Sequence, residues 1–280
     1  MPSEKNSAST QSVESGFVHL HLHSEYSLLD GGNRISRLLD HVKKSGMDAV
    51  ALTDHGNLHG AIEFYQKARE RGLRPIMGIE AYVAVGSRTD RSPGGIADGG
   101  FHLVLLAENN TGWKNIMRLS SDAFLNGFYY KPRMDRSTLE SLNEGIIAIN
   151  GHLGSSLAYH LLKFATTGQT NHWDNAIEEA KWHAATFAPT KAGEPRFFVE
   201  VQRTEIGEQD LINPLLIQLA KELNLPLVGD NDAHYLTRED YDMHDSLCCI
   251  AMGKVKSDTS RIRYSRELYV KTPQEMREVF

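Results

Sequence analysis

The sequence predicts an α/β protein in which helices cover the outside of a largely parallel sheet. Seven short apolar runs alternate along the chain with segments of helical spacing, which is the pattern of repeated strand–helix units. The chain has 280 residues, of which 40% are hydrophobic and 24% charged, so it is globular and long enough for one barrel-sized domain. A closed β/α barrel and an open doubly wound sheet both fit this pattern.

Each predicted strand is a short apolar run bounded by turn residues, and each predicted helix has apolar residues at helical spacing. The predicted strands are residues 17–22, 49–52, 75–85, 101–107, 145–149, 196–201 and 225–229. The predicted helices are residues 34–45, 60–71, 113–125, 156–164, 172–187, 208–223 and 238–252. Gly46 and Gly72 end the first two helices, because glycine is the preferred helix terminator. Residues 1–16 are polar and are predicted to be a disordered tail, which leaves residues 17–280 as the domain.

The charge and the cysteines limit the classes of function. A formal net charge of −6 gives no bulk attraction to a phosphate backbone, so action on nucleic acid would need metals, a local basic patch or a partner. Cys248 and Cys249 are adjacent and cannot form a disulfide framework, which is typical of a protein of the reducing cytoplasm. No stretch approaches the roughly 18 apolar residues of a membrane span.

Histidines and carboxylates fall at the ends of the predicted strands. These candidate metal ligands are His21, His23, Asp30, His55, Glu80, His102, His152, Asp232 and His234. Because strand side chains alternate, the two residues of each His-x-His or Asp-x-His pair point to the same face. In a β/α barrel the C-terminal strand ends meet at one mouth, so the sequence predicts a metal site there.

The types of ligand indicate the chemistry. Imidazole and carboxylate without thiolate suit Zn²⁺, Mn²⁺ or Fe, and nine ligands require two or three ions. Glu80 is the natural bridge because it has two oxygens, and Asp232 is the second carboxylate expected to bridge or activate. Metals set close together activate water and neutralise charge on a phosphate. One histidine on a strand is more often structural, so the prediction depends on the whole set; His19 is interpreted as a core or supporting residue.

Five segments of the chain form a recognisable set: HLHSEYSLLDG, TDHGNLHGAIEFYQKA, PIMGIEAYV, GFYYKPRMD and GDNDAHYL. Together they resemble the PHP (polymerase and histidinol phosphatase) domain of bacterial DNA polymerase III alpha subunits and their error-prone relatives. The resemblance covers residues 17–280 and implies a distorted seven-stranded β/α barrel with three metals, often zinc, at the C-terminal strand ends.

The resemblance also implies which residues hold which ion. One metal would be held by His21, His23, Glu80 and Asp232. A second would be held by Glu80, His102 and His152. A third would be held by Asp30, His55 and His234. All nine positions carry competent ligands, which favours an active site over a decayed one.

In the family, intact sites accompany a metal-dependent 3′–5′ exonuclease that proofreads a DNA polymerase. We expect Lys131 and Arg133, within the YYKPR segment, to hold phosphate oxygens; a solvated loop is the alternative. The expected partners are a DNA 3′ end, the remainder of a polymerase alpha chain and replisome subunits, in the bacterial cytoplasm. The polymerase carboxylates are absent from these residues, so the sequence represents an isolated domain or a fragment.

Two alternatives remain open. A small-molecule phosphatase, such as a histidinol-phosphate phosphatase, would use the same barrel, and the net charge of −6 favours a small substrate. The domain would otherwise be a non-catalytic brace that metals stabilise and that supports a polymerase.

Overall fold

The computed structural model describes residues 16–28, 30–91 and 100–280. Residues 1–15 of the predicted disordered tail lie outside the described residues. The strands are β1 (Ala49–Leu52), β2 (Arg74–Val83), β3 (Phe101–Ala107), β4 (Arg133–Met134), β5 (Ile146–Asn150), β6 (Phe197–Gln202) and β7 (Leu227–Asp230). The helices are α1 (Ile35–Lys44), α2 (Ala61–Glu70), α3 (Asn110–Leu125), α4 (Arg136–Ser141), α5 (Ser156–Thr167), α6 (Thr170–Thr186), α7 (Gly207–Glu222), α8 (Tyr241–Met252) and α9 (Pro273–Val279).

The strands form one sheet in the order β1-β2-β3-β5-β6-β7, with β4 paired to β2 outside this path. The sheet curls into a half-barrel, which confirms the α/β class and the barrel-type architecture. The prediction of a parallel sheet is wrong at β3, which runs antiparallel to both β2 and β5. The other pairs, β1 with β2, β2 with β4, β5 with β6 and β6 with β7, are parallel.

The predicted first strand is not a regular strand. Residues 17–23 lie between β1 and the chain that follows β7, and they hydrogen-bond to both. On the β1 side, Ala51 N donates to His19 O at 2.8 Å; on the other side, the Ala233 and His21–His23 backbones pair, with His23 N donating to Ala233 O at 2.9 Å. Only one bridge, between Leu22 and Ala233, has sheet geometry. The segment therefore spans the gap between the two ends of the sheet.

The two faces of the sheet have separate hydrophobic clusters. Leu103 and Leu105 of β3 pack with the outer helices α3, α5, α6 and α7, whereas Val104 and Leu106 belong to a smaller cluster on the other face. Because side chains alternate along a strand, the inner face also receives Glu80 of β2, His102 of β3 and Glu200 of β6. The concave face of the curled sheet is therefore apolar in its interior and polar along one rim.

The predictions about the two cysteines and about membrane spans can be compared with the structure. Cys248 and Cys249 are buried and free on α8. Among the helices of the described ranges, none combines the length and the apolar character that a membrane crossing requires.

Candidate metal centre

The inner rim of the sheet gathers the nine residues that the sequence singled out. His55 follows β1, Glu80 is near the end of β2, and His152 follows β5. His102 stands at the beginning of β3, opposite Tyr82 at the end of β2. The antiparallel direction of β3 thus brings His102 to the rim where the parallel strands end; a parallel β3 would have placed it at the opposite rim.

The first predicted ligand set is compact. Nε2 of His21 lies 3.5 Å from Glu80 Oε1 and 3.3 Å from Asp232 Oδ1. Nε2 of His23 lies 3.2 Å from Glu80 Oε2 and 3.1 Å from the same Asp232 oxygen. Ligands bound at about 2.1 Å to one tetrahedral ion stand roughly 3.3 Å apart. The four side chains therefore have the spacing of one metal site.

Glu80 contacts members of the other two sets. Its Oε1 lies 2.9 Å from His102 Nδ1 and 3.0 Å from His152 Nε2, while its Oε2 lies 2.5 Å from His55 Nδ1. Nε2 of His55 in turn lies 3.1 Å from Asp30 Oδ2. Glu80 therefore lies between the sets, with each oxygen facing different histidines, as a bridging carboxylate requires.

Three-residue groups of close ligand atoms cover most of the cluster. In each group the ligand atoms lie within 4.8 Å of one another; the groups are His23–His55–His234, His21–His152–Glu200, His21–His23–Asp232 and His55–Glu80–His102. Asp30 joins the cluster through His55. The grouping of His23 with His55 and His234 places the third predicted set directly beside the first.

The backbone and neighbouring side chains orient these ligands. Nδ1 of His234 donates to Asp232 O at 2.8 Å, which leaves its Nε2 lone pair for the site. Nδ1 of His23 donates to Ser27 Oγ at 2.9 Å, and that hydroxyl donates to Asp54 at 2.7 Å. Asp232 has a positive φ of 48°, an uncommon conformation for a residue other than glycine, and this strained backbone occurs at a candidate ligand.

Glu200 is the functional residue that the sequence interpretation missed. It is fully buried, accepts a hydrogen bond from His21 Nδ1 at 3.1 Å, and lies 3.6 Å from His152 Nδ1. Carboxylates in this position fix the tautomer of a metal-binding histidine and increase its basicity. The signal in the sequence was an acid inside the apolar run FFVEVQ of β6.

Burial and charge shift the pKa values in opposite directions across the cluster. Burial opposes the charged form of His21, but the carboxylates of Asp232, Glu200 and Glu80 outweigh it and raise the pKa of His21 well above its usual value. The pKa of His55 is raised well above its usual value in the same way, against burial, by Glu80 and Asp30. Burial dominates at His234 and lowers its pKa to about 4, which keeps that imidazole neutral.

Several polar atoms of the site are buried without a hydrogen-bond partner, and most of them face its centre. They include His21 Nε2, His23 Nε2, His55 Nδ1, His152 Nε2, Glu80 Oε2 and Asp232 Oδ1. Leaving such atoms unpaired is costly, on the order of 1–3 kcal/mol each. Imidazole nitrogens and carboxylate oxygens that converge without partners are the donor set of a divalent transition metal, so the residues fit the predicted ions.

The two predicted phosphate-binding cations differ in their surroundings. Lys131 is half-buried, and its Nζ lies 3.3 Å from Tyr82 Oη, beside a ring that contacts His55 and His102. Arg133 is buried, and it donates to the carbonyls of residues 88, 90 and 127. Nε and Nη2 of Arg133 thus hold the neighbouring loop backbone, and its role in phosphate binding stays a prediction.

His19 also has a defined role. It is fully buried, its Nε2 lies 2.9 Å from Lys271 O, and its Nδ1 lies 3.6 Å from Asp230 Oδ1. These contacts point away from the candidate ligands, which agrees with its interpretation as a core residue.

Comparison with known proteins gives two kinds of similarity. A family profile described as the PHP domain matches residues 19–204. Curated relatives that bear the name DNA polymerase III subunit alpha match nearly the whole chain. That of Borreliella burgdorferi is 40% identical over 270 residues, which are 96% of this chain and 22% of the relative. That of Thermus aquaticus is 42% identical over 265 residues, which are 93% of this chain and 21% of the relative.

A third relative, from Treponema pallidum, is 42% identical over 265 residues, or 94% of this chain and 22% of its own length. The chain thus spans about a fifth of the length of the curated relatives it matches. Among solved structures, a two-domain protein from Bacteroides vulgatus, described as containing a predicted PHP-like metal-dependent phosphoesterase, aligns with 92% of this chain and 61% of that chain. The TM-score is 0.45 at 17% identity.

Proposed function

The chain belongs to the PHP domain family, and from that premise we propose that its metal centre hydrolyses phosphodiesters and removes nucleotides from the 3′ end of DNA. The relatives that share about 40% of its residues are subunits of a DNA polymerase, which favours DNA as the substrate. In this proposal residues 17–280 are the proofreading domain of a polymerase alpha chain, and the rest of that chain and the replisome subunits are its partners.

The observation that carries the proposal is the shared position of Glu80. Its two oxygens face His102 and His152 on one side and His55 on the other. One carboxylate shared between ligand sets holds ions a few ångströms apart, which is the arrangement of metal centres that transfer or hydrolyse phosphoryl groups. The proposal has three ions, zinc or manganese with iron as the alternative, in the ligand sets that the family resemblance implies.

When bound, such ions would supply an activated water and would neutralise charge on the phosphate. The protein residues determine from which side the phosphate arrives. The side chains of His21, His23, Glu80, His152 and His234 are at most 4% exposed, whereas those of Asp30, His55, His102 and Asp232 are 16–21% exposed. The scissile phosphate therefore approaches the four partly exposed ligands.

Lys131 is placed to hold that phosphate. Its ammonium group lies beside Tyr82, whose ring is 4.8 Å from the ring of His102 between centroids. Lys131 therefore brings positive charge to the neighbourhood of Tyr82 in a chain whose net charge is −6. This local charge offsets the weak attraction of the whole molecule to DNA.

The test is degradation of single-stranded DNA by the purified chain with Mn²⁺ or Zn²⁺, beside an Asp232→Asn variant that keeps the side-chain shape. We expect stepwise release of nucleotides from the 3′ end by the unmutated chain, and a loss of at least about 100-fold in the variant. Metal content should be measured in both proteins, so that loss of an ion is distinguished from loss of chemistry.

Two other outcomes would change the assignment. If the metal-loaded chain hydrolyses histidinol phosphate or similar monoesters but not DNA, the site is that of a small-molecule phosphatase, which the net charge of −6 favours. If it hydrolyses neither, and if His23→Ala lowers thermal stability without any turnover to lose, the metals serve a structural brace.

A further inference from the structure

A cavity of about 880 Å³ adjoins the metal centre, between the beginning of β3 and the helices α5 and α7. His102 belongs both to the cavity wall and to the ligand cluster. Gly154 also lines the cavity, and a Cβ at this position would meet His102 Cγ at 3.1 Å and His152 Nε2 at 3.3 Å. Because residue 154 has no side chain, the cavity reaches the imidazole of His102 directly.

The far wall of the cavity is aromatic and ends in a cation. Tyr159 of α5 is 37% exposed, and its ring centroid lies 5.4 Å from that of Phe101. Nζ of Lys163, one helical turn further along α5, lies 6.0 Å from the centroid of the Tyr159 ring. Aromatic rings beside cations are the elements with which proteins hold single-stranded nucleic acid, because bases stack on the rings and phosphates pair with the cations. The volume also falls within the range of about 300–1,000 Å³ that is typical of small-ligand sites.

We infer that this cavity holds the base of the terminal nucleotide, stacked on Tyr159, while the 5′-phosphate of that nucleotide lies at the metal centre. The inference rests on the proposed function and adds a base-binding subsite to it. Two features favour a nucleotide as the occupant: the continuity of the cavity with the candidate ligand His102, and the ring of Tyr159, on which a base can stack.

The test measures binding and does not require turnover. Isothermal titration of the full chain, loaded with Mn²⁺, would compare deoxyadenosine 5′-monophosphate with 2-deoxyribose 5-phosphate, which lacks the base. We expect the nucleotide to bind at least about fivefold more tightly, the lower end of what stacking of one base on an aromatic ring contributes. Tyr159→Ala should bring the two affinities together, and Tyr159→Phe, which keeps the ring, should preserve the difference.

Tyr65→Ala is the matched control, because Tyr65 is a half-exposed tyrosine on α2 that does not line the cavity. It should preserve the preference for the nucleotide. Equal affinities of the unmutated chain for the two probes would overturn the inference, and so would a Tyr159→Ala variant that keeps the full difference. Base-dependent binding without any hydrolysis of DNA would support the subsite and count against the proposed activity. Hydrolysis of DNA together with equal affinities for the two probes would support the proposed activity and overturn the subsite.

Discussion

At the scale of single residues, Glu200 connects two buried histidines of the site. Its carboxylate accepts from His21, lies near Nδ1 of His152, and accepts from Gln202 Nε2 at 2.7 Å. This carboxylate orients two imidazoles that belong to different ligand sets. A change at Glu200 should therefore affect both sets although Glu200 belongs to neither of the predicted sets.

We expect Glu200→Gln to lower metal affinity by about 10–100-fold, the usual effect of removing a carboxylate that supports a metal-binding histidine. Competition with a metal indicator would measure the affinity. Glu194→Gln, an exposed change just before the same strand, is the control and should leave the affinity unchanged. A folded Glu200→Gln protein with unaltered affinity would show that the two histidines need no such support.

Gly154 gives a second prediction at this scale. An alanine methyl group there would press on the rings of His102 and His152, while the exposed position should leave the free energy of unfolding within about 0.5 kcal/mol. We expect Gly154→Ala to retain fewer metal ions per chain after dialysis, measured by elemental analysis. Gly86→Ala meets no atom within 4 Å and should retain the full number. Equal metal content in the two variants would contradict the close approach at Gly154.

The sequence was informative about the candidate metal ligands and less informative about the residues that orient them. The nine candidate ligands were found because transition ions need imidazole and carboxylate, and these types stood out at strand ends. Glu200 was missed because alternation along FFVEVQ does not say which face of the strand is inside. The contacts of Arg133 were also not predictable, because the YYKPR segment alone does not reveal that the guanidinium group donates to three backbone carbonyls.

At the scale of elements, residues 17–23 carry two ligands although they form no regular strand. Asp230, the last residue of β7, accepts hydrogen bonds from the backbone N–H groups of Leu20 at 2.7 Å and His21 at 3.1 Å. This side chain replaces part of the ladder that a regular strand would have. The position of His21 therefore depends on an acid that contacts the backbone of the segment.

We expect Asp230→Ala to destabilise the protein by about 2–5 kcal/mol, because it leaves three backbone donors, those of Leu20, His21 and Asn231, without an acceptor in a buried place. Asp230→Asn keeps an acceptor oxygen and should cost less. Chemical denaturation would measure both, with Asp48→Ala, an exposed change, as the control. If Asp230→Ala and Asp230→Asn lower the free energy of unfolding equally, the hydrogen bonds to Asp230 do not hold residues 17–23 in place.

The positions of the helices were predictable, but the direction of β3 was not. α2, α7 and α8 lie within a few residues of their predicted bounds, because apolar spacing and glycine stops are local signals. The direction of a strand is decided by which neighbours it pairs with. Residues 101–107 are equally apolar in either direction, and only the pairing of β3 with β2 and β5 shows that His102 joins the rim.

At the scale of the whole molecule, the cluster links metal binding to folding. The described site concentrates histidines and carboxylates inside the curve of the sheet, where the attraction between opposite charges is strong and is opposed by burial. Ions that bind the folded chain and not the unfolded one stabilise it by mass action. Removal of metal with a chelator should therefore lower the melting temperature.

The pH dependence of that effect follows from His152. Burial opposes its charge, but the nearby carboxylates of Glu200 and Glu80 prevail and raise its pKa to about 9. The unfolded value is about 6.5, so in the metal-free chain this stabilisation is complete below pH 6.5 and is lost as the pH rises through 9. His21 and His55, whose pKa values are also raised, change in the same direction.

Metal binding has the opposite dependence, because a histidine must lose its proton before its nitrogen can bind an ion. We expect the melting temperature of the metal-free chain to fall between pH 6.5 and 9, and the increment that Zn²⁺ or Mn²⁺ adds to grow over the same interval. Scanning calorimetry with and without metal, at constant ionic strength, would measure both. An increment that stays constant across this range would mean that the ions displace no protons from these histidines, and that they bind somewhere other than the rim of the sheet.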